Sequence, residues 1–237
     1  MKILLAPAET KQEGGNNKPL ILKNFQKEPL EQYEKYVTSA SLEELSSWFG
    51  LKKLDEVKKY KTTIKDKSTL KAIQRYTGVA FEAIDYQNLS NEAQQYCDKN
   101  ILIFSNLFGV LNGDDFIPNY KFKQGQILPT LDTIKYFKEK LKPYLDEKLL
   151  NQEILDLRAG FYDKFYKITY PYVTMKFLKD GKVVSHWAKH YRGHIVNIIA
   201  SNNISTISEL MNFNIQNLSI VEIKKQKNKT EIVYNID

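Results

Sequence analysis

The sequence predicts a mixed α/β fold, an α+β arrangement in which one mixed sheet carries hairpins and surrounding helices. A run of strand length that is apolar after its first residue, Lys2, occurs at 2–6, a fully apolar run occurs at 101–104, and a long amphipathic helical pattern follows at 130–150. Two hairpin patterns lie at 172–187 and 218–236, the first around an Asp-Gly turn. Because isolated buried strands favour parallel pairing and hairpins require antiparallel pairing, we expect both in one sheet.

We expect a single domain over residues 1–237, because this length supports one full core. The chain is 42% hydrophobic and 12% aromatic, which favours a folded protein over a disordered one. Its one cysteine, Cys97, excludes an intrachain disulfide and fits a buried apolar position in a reducing compartment. No segment approaches the roughly twenty apolar residues that span a bilayer. We therefore expect a cytoplasmic protein with no membrane partner.

Several helix boundaries are marked by side chains. Ser41 and Glu44 have capping-box spacing, as do Thr206 and Glu209, and Gly50 is placed to end the helix that the first box opens. A helical pattern at 70–84 is interrupted at its middle, where a glycine at 78 predicts a bend.

Polar residues follow three predicted strands. Thr10 lies in the loop after the first strand, Ser105 and Tyr120 belong to the segment after 101–104, and Arg158 follows a short strand at 153–157. Ligands of α/β proteins bind at the carboxyl ends of strands, so these residues are candidate site residues. The adjacent acids at 114 and 115 are either a carboxylate pair or turn supports, and a Gly-Asp-Asp sequence favours turn support.

The segment 183–200, VVSHWAKHYRGHIVNIIA, is the densest functional candidate. We expect a strand as far as Trp187 and a helix from about residue 188. Lys189 and Arg192 are three positions apart, which places both on one helix face where they can contact phosphate. Tyr191 and Trp187 supply aromatic faces nearby.

Three histidines, His186, His190 and His194, occur in the same segment. On one helix the outer two would be about 12 Å apart, so all three cannot bind one ion. The best metal site would pair His190 and His194 with a distant carboxylate, and surface or packing roles are favoured over it. We therefore expect no metal and no cofactor.

The net charge of +7 favours anionic partners. Eight lysines fall within 52–71, a run that either follows a phosphate backbone or forms a solvated helix face. The solvated face is favoured for the run taken alone.

Three motifs in order resemble the YaaA family of bacterial peroxide-stress proteins. The opening Leu-Leu-Ala-Pro-Ala-Glu-Thr at 4–10 resembles the family's Leu-Ile-Ser-Pro-Ala-Lys-Thr, the Ser-Asn-Leu-Phe-Gly-Val-Leu at 105–111 resembles its Ser-Gly-Leu-Tyr-Gly-Val-Leu, and Ala-Lys-His-Tyr-Arg-Gly at 188–193 resembles its Ala-Lys-x-x-Arg-Gly. The chain departs from the pattern at Glu9 and Asn106, where the family has Lys and Gly, and at Asn112-Gly113-Asp114, which replaces a basic Arg-Pro-type continuation after Leu111. These departures weaken the inference, from the family motifs, that charged side chains contact a ligand at the loops of the first two motifs.

The resemblance implies a fold particular to the family and a cytoplasmic protein that limits oxidative damage during peroxide stress. It also implies non-sequence-specific binding of DNA, whether single-stranded, duplex or branched, through a basic cleft with a helix-hairpin-helix-like element. The hairpin is placed first at 188–213 and second at the break Tyr76–Gly78. Backbone N–H groups of such elements bind phosphates.

Two further functions stay open. An enzyme acting on a small anionic or nucleotide-like substrate is less favoured, since no known catalytic pattern is present; iron sequestration is the weaker alternative. Under the DNA hypothesis, phosphate contacts come from Lys189, Arg192 and Arg158, and base stacking from Tyr76, Tyr120 or Tyr191. Under the enzyme hypothesis the cleft is formed by Thr10, Ser105, Tyr120, Arg158, Lys189 and Arg192.

Overall fold

A computed structural model describes residues 1–158 and 160–237. Its main sheet has eight strands, and a second, two-stranded sheet lies apart from it. The strands are β1 Lys2–Leu5, β2 Thr69–Lys71, β3 Ile101–Ser105, β4 Gly109–Asn112, β5 Phe116–Pro118, β6 Ile154–Leu157, β7 Tyr172–Lys179, β8 Lys182–Val183, β9 Leu218–Gln226 and β10 Lys229–Ile236. The helices are α1 Asn24–Ser39, α2 Leu42–Phe49, α3 Leu54–Tyr60, α4 Ala72–Arg75, α5 Val79–Ile84, α6 Asn91–Asn100, α7 Thr133–Leu149, α8 Ser185–Ser201 and α9 Ile207–Asn212.

The main sheet has the order β4-β3-β1-β6-β7-β10-β9, with β8 paired to β7. Neighbours from β3 to β10 are parallel, whereas β4, β8 and β9 pair antiparallel. The predicted single mixed α/β domain with hairpins and surrounding helices is therefore confirmed as the fold class; the boundaries 1–237 stay a prediction. Because β1, β3 and β6 are parallel neighbours, their carboxyl ends meet at one edge of the sheet.

The central strands are buried on both faces, as continuous apolar runs predict. Ile3 and Leu5 point into one hydrophobic cluster, together with residues of α5, α6 and α8, while Leu4 points into a second cluster. The second cluster contains one stripe of α7: Phe137, Leu141, Leu145 and Leu149. The alternation follows from the two-residue period of a strand and fixes which helices cover which face.

A gap opens beside β7 because β6 is the shorter strand. The two strands pair only at Leu155–Val173 and Asp156–Thr174, and β7 continues beyond the end of β6 to Lys179. The hairpin strand β8 pairs only with the last two residues of β7. The stretch of β7 between these pairings faces an open space, and α8 borders that space.

Gly193 sets the distance between α8 and α5. A Cβ at this position would lie 1.9 Å from the carbonyl oxygen of Ala80. Glycine is thus the residue that lets the two backbones approach this closely. The Asn197 side chain adds a 2.8 Å hydrogen bond to the carbonyl of Ile84. Together these contacts fix the rotation of α8, and with it the face that carries Lys189.

The structure corrects one predicted boundary. The first hairpin is present, but its return strand ends at Val183 rather than Trp187, and α8 begins at Ser185 rather than near residue 188. His186 therefore belongs to the helix and not to the strand. The apolar and β-branched residues before Ala188 favoured a strand, and packing of the helix overrode that preference.

Other boundaries agree with the sequence. The capping boxes at Ser41 and Thr206 are both formed, and Gly50 ends α2 in the left-handed conformation. The break between α4 and α5 falls at 76–78, with Gly78 at a φ of 102°. The helix α1, which contains Pro29, was not predicted. None of the helices in the described ranges is long and apolar enough to cross a membrane.

We predict that Gly193→Ala destabilises the fold by about 1–3 kcal/mol, because the added methyl group forces α8 away from α5. Thermal or urea unfolding measures the change. Ser201→Ala, at the exposed end of the same helix, is the matched control and should leave the midpoint nearly unchanged. A Gly193→Ala protein as stable as the wild type would contradict the close contact.

Candidate anion-binding cleft

The space beside β7 forms a cleft of about 500 Å³. Its walls come from the end of β6, the stretch of β7 between its pairings with β6 and β8, the start of α8 and the first residues of β10. The residues that line it include Asp156, Arg158, Asp163, Thr174, Lys176, Phe177, Ala188, Lys189, Arg192, Lys229 and Glu231. The predicted phosphate-contact residues Arg158, Lys189 and Arg192 are thus brought together at one cleft.

Arg158 lies in the floor of the cleft and is paired on every side. Its Nε and Nη2 donate to the two carboxylate oxygens of Asp156 at 2.8 and 2.9 Å, and Nη2 also reaches Asp163. Its Nη1 donates to the main-chain carbonyls of Tyr162 and Tyr166. Since these contacts use all five N–H groups and the side chain is 1% exposed, Arg158 holds the floor together and has no donor left for a ligand.

Arg192 and Lys189 differ from Arg158 in having no such partners. Neither makes a hydrogen bond or ion pair with the residues that the structure describes, and the Nε of Arg192 is buried without an acceptor. Burial lowers the pKa of Arg192, and the charge of Asp156 partly opposes this shift. A buried guanidinium N–H without a partner is costly, so this position suits an anionic ligand.

The charges that line the cleft are unbalanced. Arg158 pairs with the carboxylates of both Asp156 and Asp163, which leaves one negative charge of these three groups in excess, and Lys229 pairs with Glu231 at 3.0 Å. The remaining lining cations, Lys176, Lys189 and Arg192, form no ion pair within the described residues. Among the described lining residues five cations stand against three carboxylates, so a ligand that enters the cleft meets an excess of positive charge.

Ser105, Tyr120 and Tyr76 form a buried chain of hydroxyl groups elsewhere at the same sheet edge. The Ser105 Oγ accepts hydrogen bonds from the backbone N–H groups of Leu107 and Phe108, so its own proton goes to Tyr120 at 2.8 Å. The Tyr120 and Tyr76 hydroxyls are 2.6 Å apart. Burial raises the pKa of Tyr76 to about 12 and holds that of Tyr120 well above its usual range.

The structure corrects the expectation that Tyr76, Tyr120 and Tyr191 stack on bases. All three rings are buried, Tyr76 and Tyr120 at 2% exposure and Tyr191 at 7%. Tyr191 stacks on Phe177 with ring centres 5.6 Å apart. The three tyrosines are therefore core residues. The exposed aromatic ring of α8 is that of Trp187, at 48% exposure.

Thr10 connects two loops rather than lining the cleft. Its hydroxyl donates to the carbonyl of Thr77, and its own carbonyl accepts from the Thr77 N–H at 3.1 Å. Gly78 is the next residue, and a Cβ there would lie 3.3 Å from the Thr10 hydroxyl oxygen. The loop after β1 is therefore held against the break between α4 and α5. The six-residue cleft expected for an enzyme is divided, with Thr10, Ser105 and Tyr120 outside it.

Lys11 is a site residue that the sequence reasoning missed. Its ammonium lies over the ring of Tyr120 at 4.2 Å and that of Tyr76 at 5.3 Å, and it donates to the carbonyl of Glu9. Burial lowers the pKa of Lys11 to about 7; the charges of Lys121 and Arg75 add to the shift and Glu9 opposes it. The one signal in the sequence was a lysine close behind a strand end.

Other candidates receive structural roles. Asp115 pairs with Lys23 and accepts from the Asn112 N–H, which confirms turn support for Asp115. Cys97 is fully buried, and burial raises its pKa to about 12. His190 and His194 stack at 6.0 Å, and the described ranges hold no group of three or more His, Cys, Asp or Glu placed to bind a metal. Iron sequestration gains no support from this arrangement.

The fold and the cleft define a mixed α/β protein with an uncompensated basic groove beside its sheet. A family model described as "Peroxide stress protein YaaA" matches residues 1–224. The chain belongs to this family, as its three motifs predicted, and the family is named for peroxide stress.

Curated relatives align with most or all of the chain. An uncharacterized protein of Campylobacter jejuni, Cj0984, is 42% identical over 244 residues, covering 100% of this chain and 99% of the relative. A UPF0246 protein of Corynebacterium glutamicum, Cgl1995/cg2186, is 32% identical and covers 84% of this chain and 85% of the relative. A UPF0246 protein of Malacoplasma penetrans, MYPE6270, is 27% identical, with 86% and 88% covered.

We predict that Lys11 titrates near pH 7 in the folded protein, whereas ordinary lysines titrate near 10.4. Because the folded state releases this proton first, its contribution makes the free energy of unfolding rise with pH from about 7 towards about 10.4. Reductive ¹³C-methylation followed by NMR titration measures the midpoint, with Lys11→Met as the assignment variant. Lysine signals that all titrate above pH 9 would contradict the prediction.

We predict that Tyr120→Phe costs more stability than Tyr76→Phe. Tyr120 is the middle member of the hydroxyl chain, so its loss removes the partner of both the Ser105 hydroxyl proton and the Tyr76 hydroxyl, at about 1–3 kcal/mol for each buried group left unpaired. The loss of the terminal Tyr76 hydroxyl affects Tyr120 alone. Chemical denaturation of both variants gives the comparison, and equal costs would exclude the order Ser105–Tyr120–Tyr76.

Proposed function

We propose that this peroxide-stress family member is a cytoplasmic, non-enzymatic protein that binds DNA without sequence preference through the cleft beside β7. The observation that carries the proposal is the buried Nε of Arg192, which has no hydrogen-bond acceptor among the described residues. Lys189, one helical turn away on the same face, adds a second cation. Phosphate oxygens would supply the missing acceptors and carry no sequence information.

Trp187 supports a role in nucleic-acid binding. Its ring is half-exposed and lies on the same helix as Lys189 and Arg192. Base–aromatic stacking is sequence-tolerant, because every base offers a π-face. Trp187 is two positions from Lys189 and five from Arg192, so it lies on a different side of α8 and would stack a base beside the cleft rather than inside it, while Arg158 holds the floor of the cleft.

Glu209 disfavours phosphate binding at the turn of the helix-hairpin-helix-like element. The helices α8 and α9 do follow one another around a short connection, as 188–213 requires. However, the backbone N–H groups of Ser205 and Thr206 already donate to the Glu209 carboxylate at 2.7 and 3.3 Å. A carboxylate at this position repels phosphate, so we assign the phosphate contact to the basic face of α8 rather than to the turn.

We predict that Lys189→Ala/Arg192→Ala lowers DNA affinity at least tenfold at low salt. Fluorescence polarisation with labelled single-stranded, duplex and branched DNA at several salt concentrations measures it. If two phosphate contacts are lost, the slope of log affinity against log salt becomes shallower by about 2 on duplex DNA.

The matched control is Lys52→Ala/Lys53→Ala, which removes the same charge from exposed positions outside the cleft. We expect it to change affinity less than twofold. Wild-type binding that is independent of salt, or an equal loss in the control, would overturn the proposed site. Thermal unfolding of both variants confirms that they are folded.

A small anionic ligand is the second candidate for the same cleft. Its volume of about 500 Å³ falls within the range of about 300–1,000 Å³ typical of ligand pockets. A nucleoside monophosphate that raises the melting temperature of the wild type, but not of Arg192→Ala, would favour this function if no DNA binds.

A further inference from the structure

A second basic cavity lies apart from the cleft and shares none of its lining residues. It measures about 260 Å³ and is located between the end of α3, the segment that leads to β2, and the loop after β1. Two lysines of the basic run 52–71, Lys59 and Lys67, line it. Both side chains are exposed, and at these two positions the run borders the cavity.

Arg75 places an uncompensated charge behind the cavity wall. This arginine is fully buried, and its guanidinium donates to the main-chain carbonyls of Gln12, Gly14, Ser68 and Ile117. Gly14 and Ser68 belong to the wall itself, at 3.0 and 3.2 Å from Nη2. No carboxylate among the described residues forms an ion pair with Arg75. Carbonyl dipoles satisfy its hydrogen bonds but leave its positive charge in place.

The lining of the cavity is also positive. Lys59 and Lys67 form no ion pair or hydrogen bond with described side chains, and Glu13 is the one carboxylate in the lining given for the described residues. Counted with Arg75 behind the wall, the cavity has three cations and one carboxylate, that of Glu13. This balance favours an anion with more than one negative charge, such as a phosphate monoester.

Asn119 adds a polar requirement that a simple anion does not meet. Its Oδ1 is buried and has no hydrogen-bond partner among the described residues, although the residue lines the cavity. An amide oxygen accepts hydrogen bonds, so a donor on a ligand can complete it. The hydroxyl groups of Thr62 and Ser68 line the same space and can donate or accept. The ligand should therefore carry hydroxyl groups beside its phosphate.

We propose that this cavity binds a small phosphate monoester of a hydroxylated compound, such as a sugar phosphate. Lys59 and Lys67 contact the phosphate, and Asn119 accepts a hydrogen bond from a ligand hydroxyl. The volume admits a phosphorylated sugar but excludes a duplex backbone. The proposal is independent of DNA binding at the cleft, since the two sites share no lining residue.

Isothermal titration calorimetry with inorganic phosphate, ribose and ribose 5-phosphate tests the site. Ribose 5-phosphate should bind the wild type more tightly than phosphate, and ribose should not bind measurably. Lys59→Ala/Lys67→Ala should weaken both phosphate ligands at least tenfold. Asn119→Leu should remove the advantage of ribose 5-phosphate and leave phosphate binding within twofold.

The control is again Lys52→Ala/Lys53→Ala, which lowers the net charge equally outside the cavity. Absence of binding by the folded wild type, equal weakening in the control, or ribose binding as tightly as its phosphate would each overturn the proposal. A 5′-phosphorylated trinucleotide distinguishes the source of the monoester. If the trinucleotide binds more tightly than ribose 5-phosphate, the natural ligand is a nucleic-acid end. If it binds more weakly, the natural ligand is a free metabolite. Both results support a phosphate-monoester site.

Discussion

The pair of Arg158 with Asp156 is the contact on which the cleft depends. Asp156 is the last residue of β6 that pairs with β7, and Arg158 ties the turn that follows it to the carbonyls of Tyr162 and Tyr166. Pairing with β7 ends at this point, and the unpaired stretch of β7 becomes a wall of the cleft. Removing one member of a buried pair leaves the other charge unpaired, at about 3–5 kcal/mol, so this floor is held firmly. A predicted ligand-binding residue is in fact the support for the binding residues.

The sequence predicted which residues lie at the edge of the sheet. It did not predict which of their side chains are free to contact a ligand. The apolar runs at 2–6 and 101–104 correctly placed strand ends near Thr10 and Ser105, because a buried strand is visible in sequence. Whether an aromatic residue after such a strand faces solvent depends on its packing against residues distant in the sequence. Tyr120 is buried, and its hydroxyl is hydrogen-bonded to Ser105 and Tyr76. Lys11 was missed for the same reason, since its environment comes from residues far along the chain.

The start of α8 shows how tertiary contacts override local preference. The β-branched and aromatic residues before Ala188 predicted a strand as far as Trp187. The close contact of Gly193 with Ala80 holds α8 against α5, and the helix extends back to Ser185. The spacing of Lys189 and Arg192 was nevertheless correct, because both predicted and observed helices contain them. A motif can thus be located from sequence even where the boundary of its element is wrong.

Unpaired polar atoms distinguish the proposed sites from the rest of the interior. The buried side-chain atoms without partners in the described part of the chain are the Nε of Arg192, the Oδ1 of Asn119 and the Oγ1 of Thr133. Two of these three residues line basic cavities, where a ligand can complete the hydrogen bonds. An unmade hydrogen bond of a buried group costs about 1–3 kcal/mol, so such atoms are expected where binding compensates the loss. The chemistry of each atom then defines its ligand: a donor in the cleft requires an acceptor such as phosphate, and an acceptor in the second cavity requires a donor such as a hydroxyl.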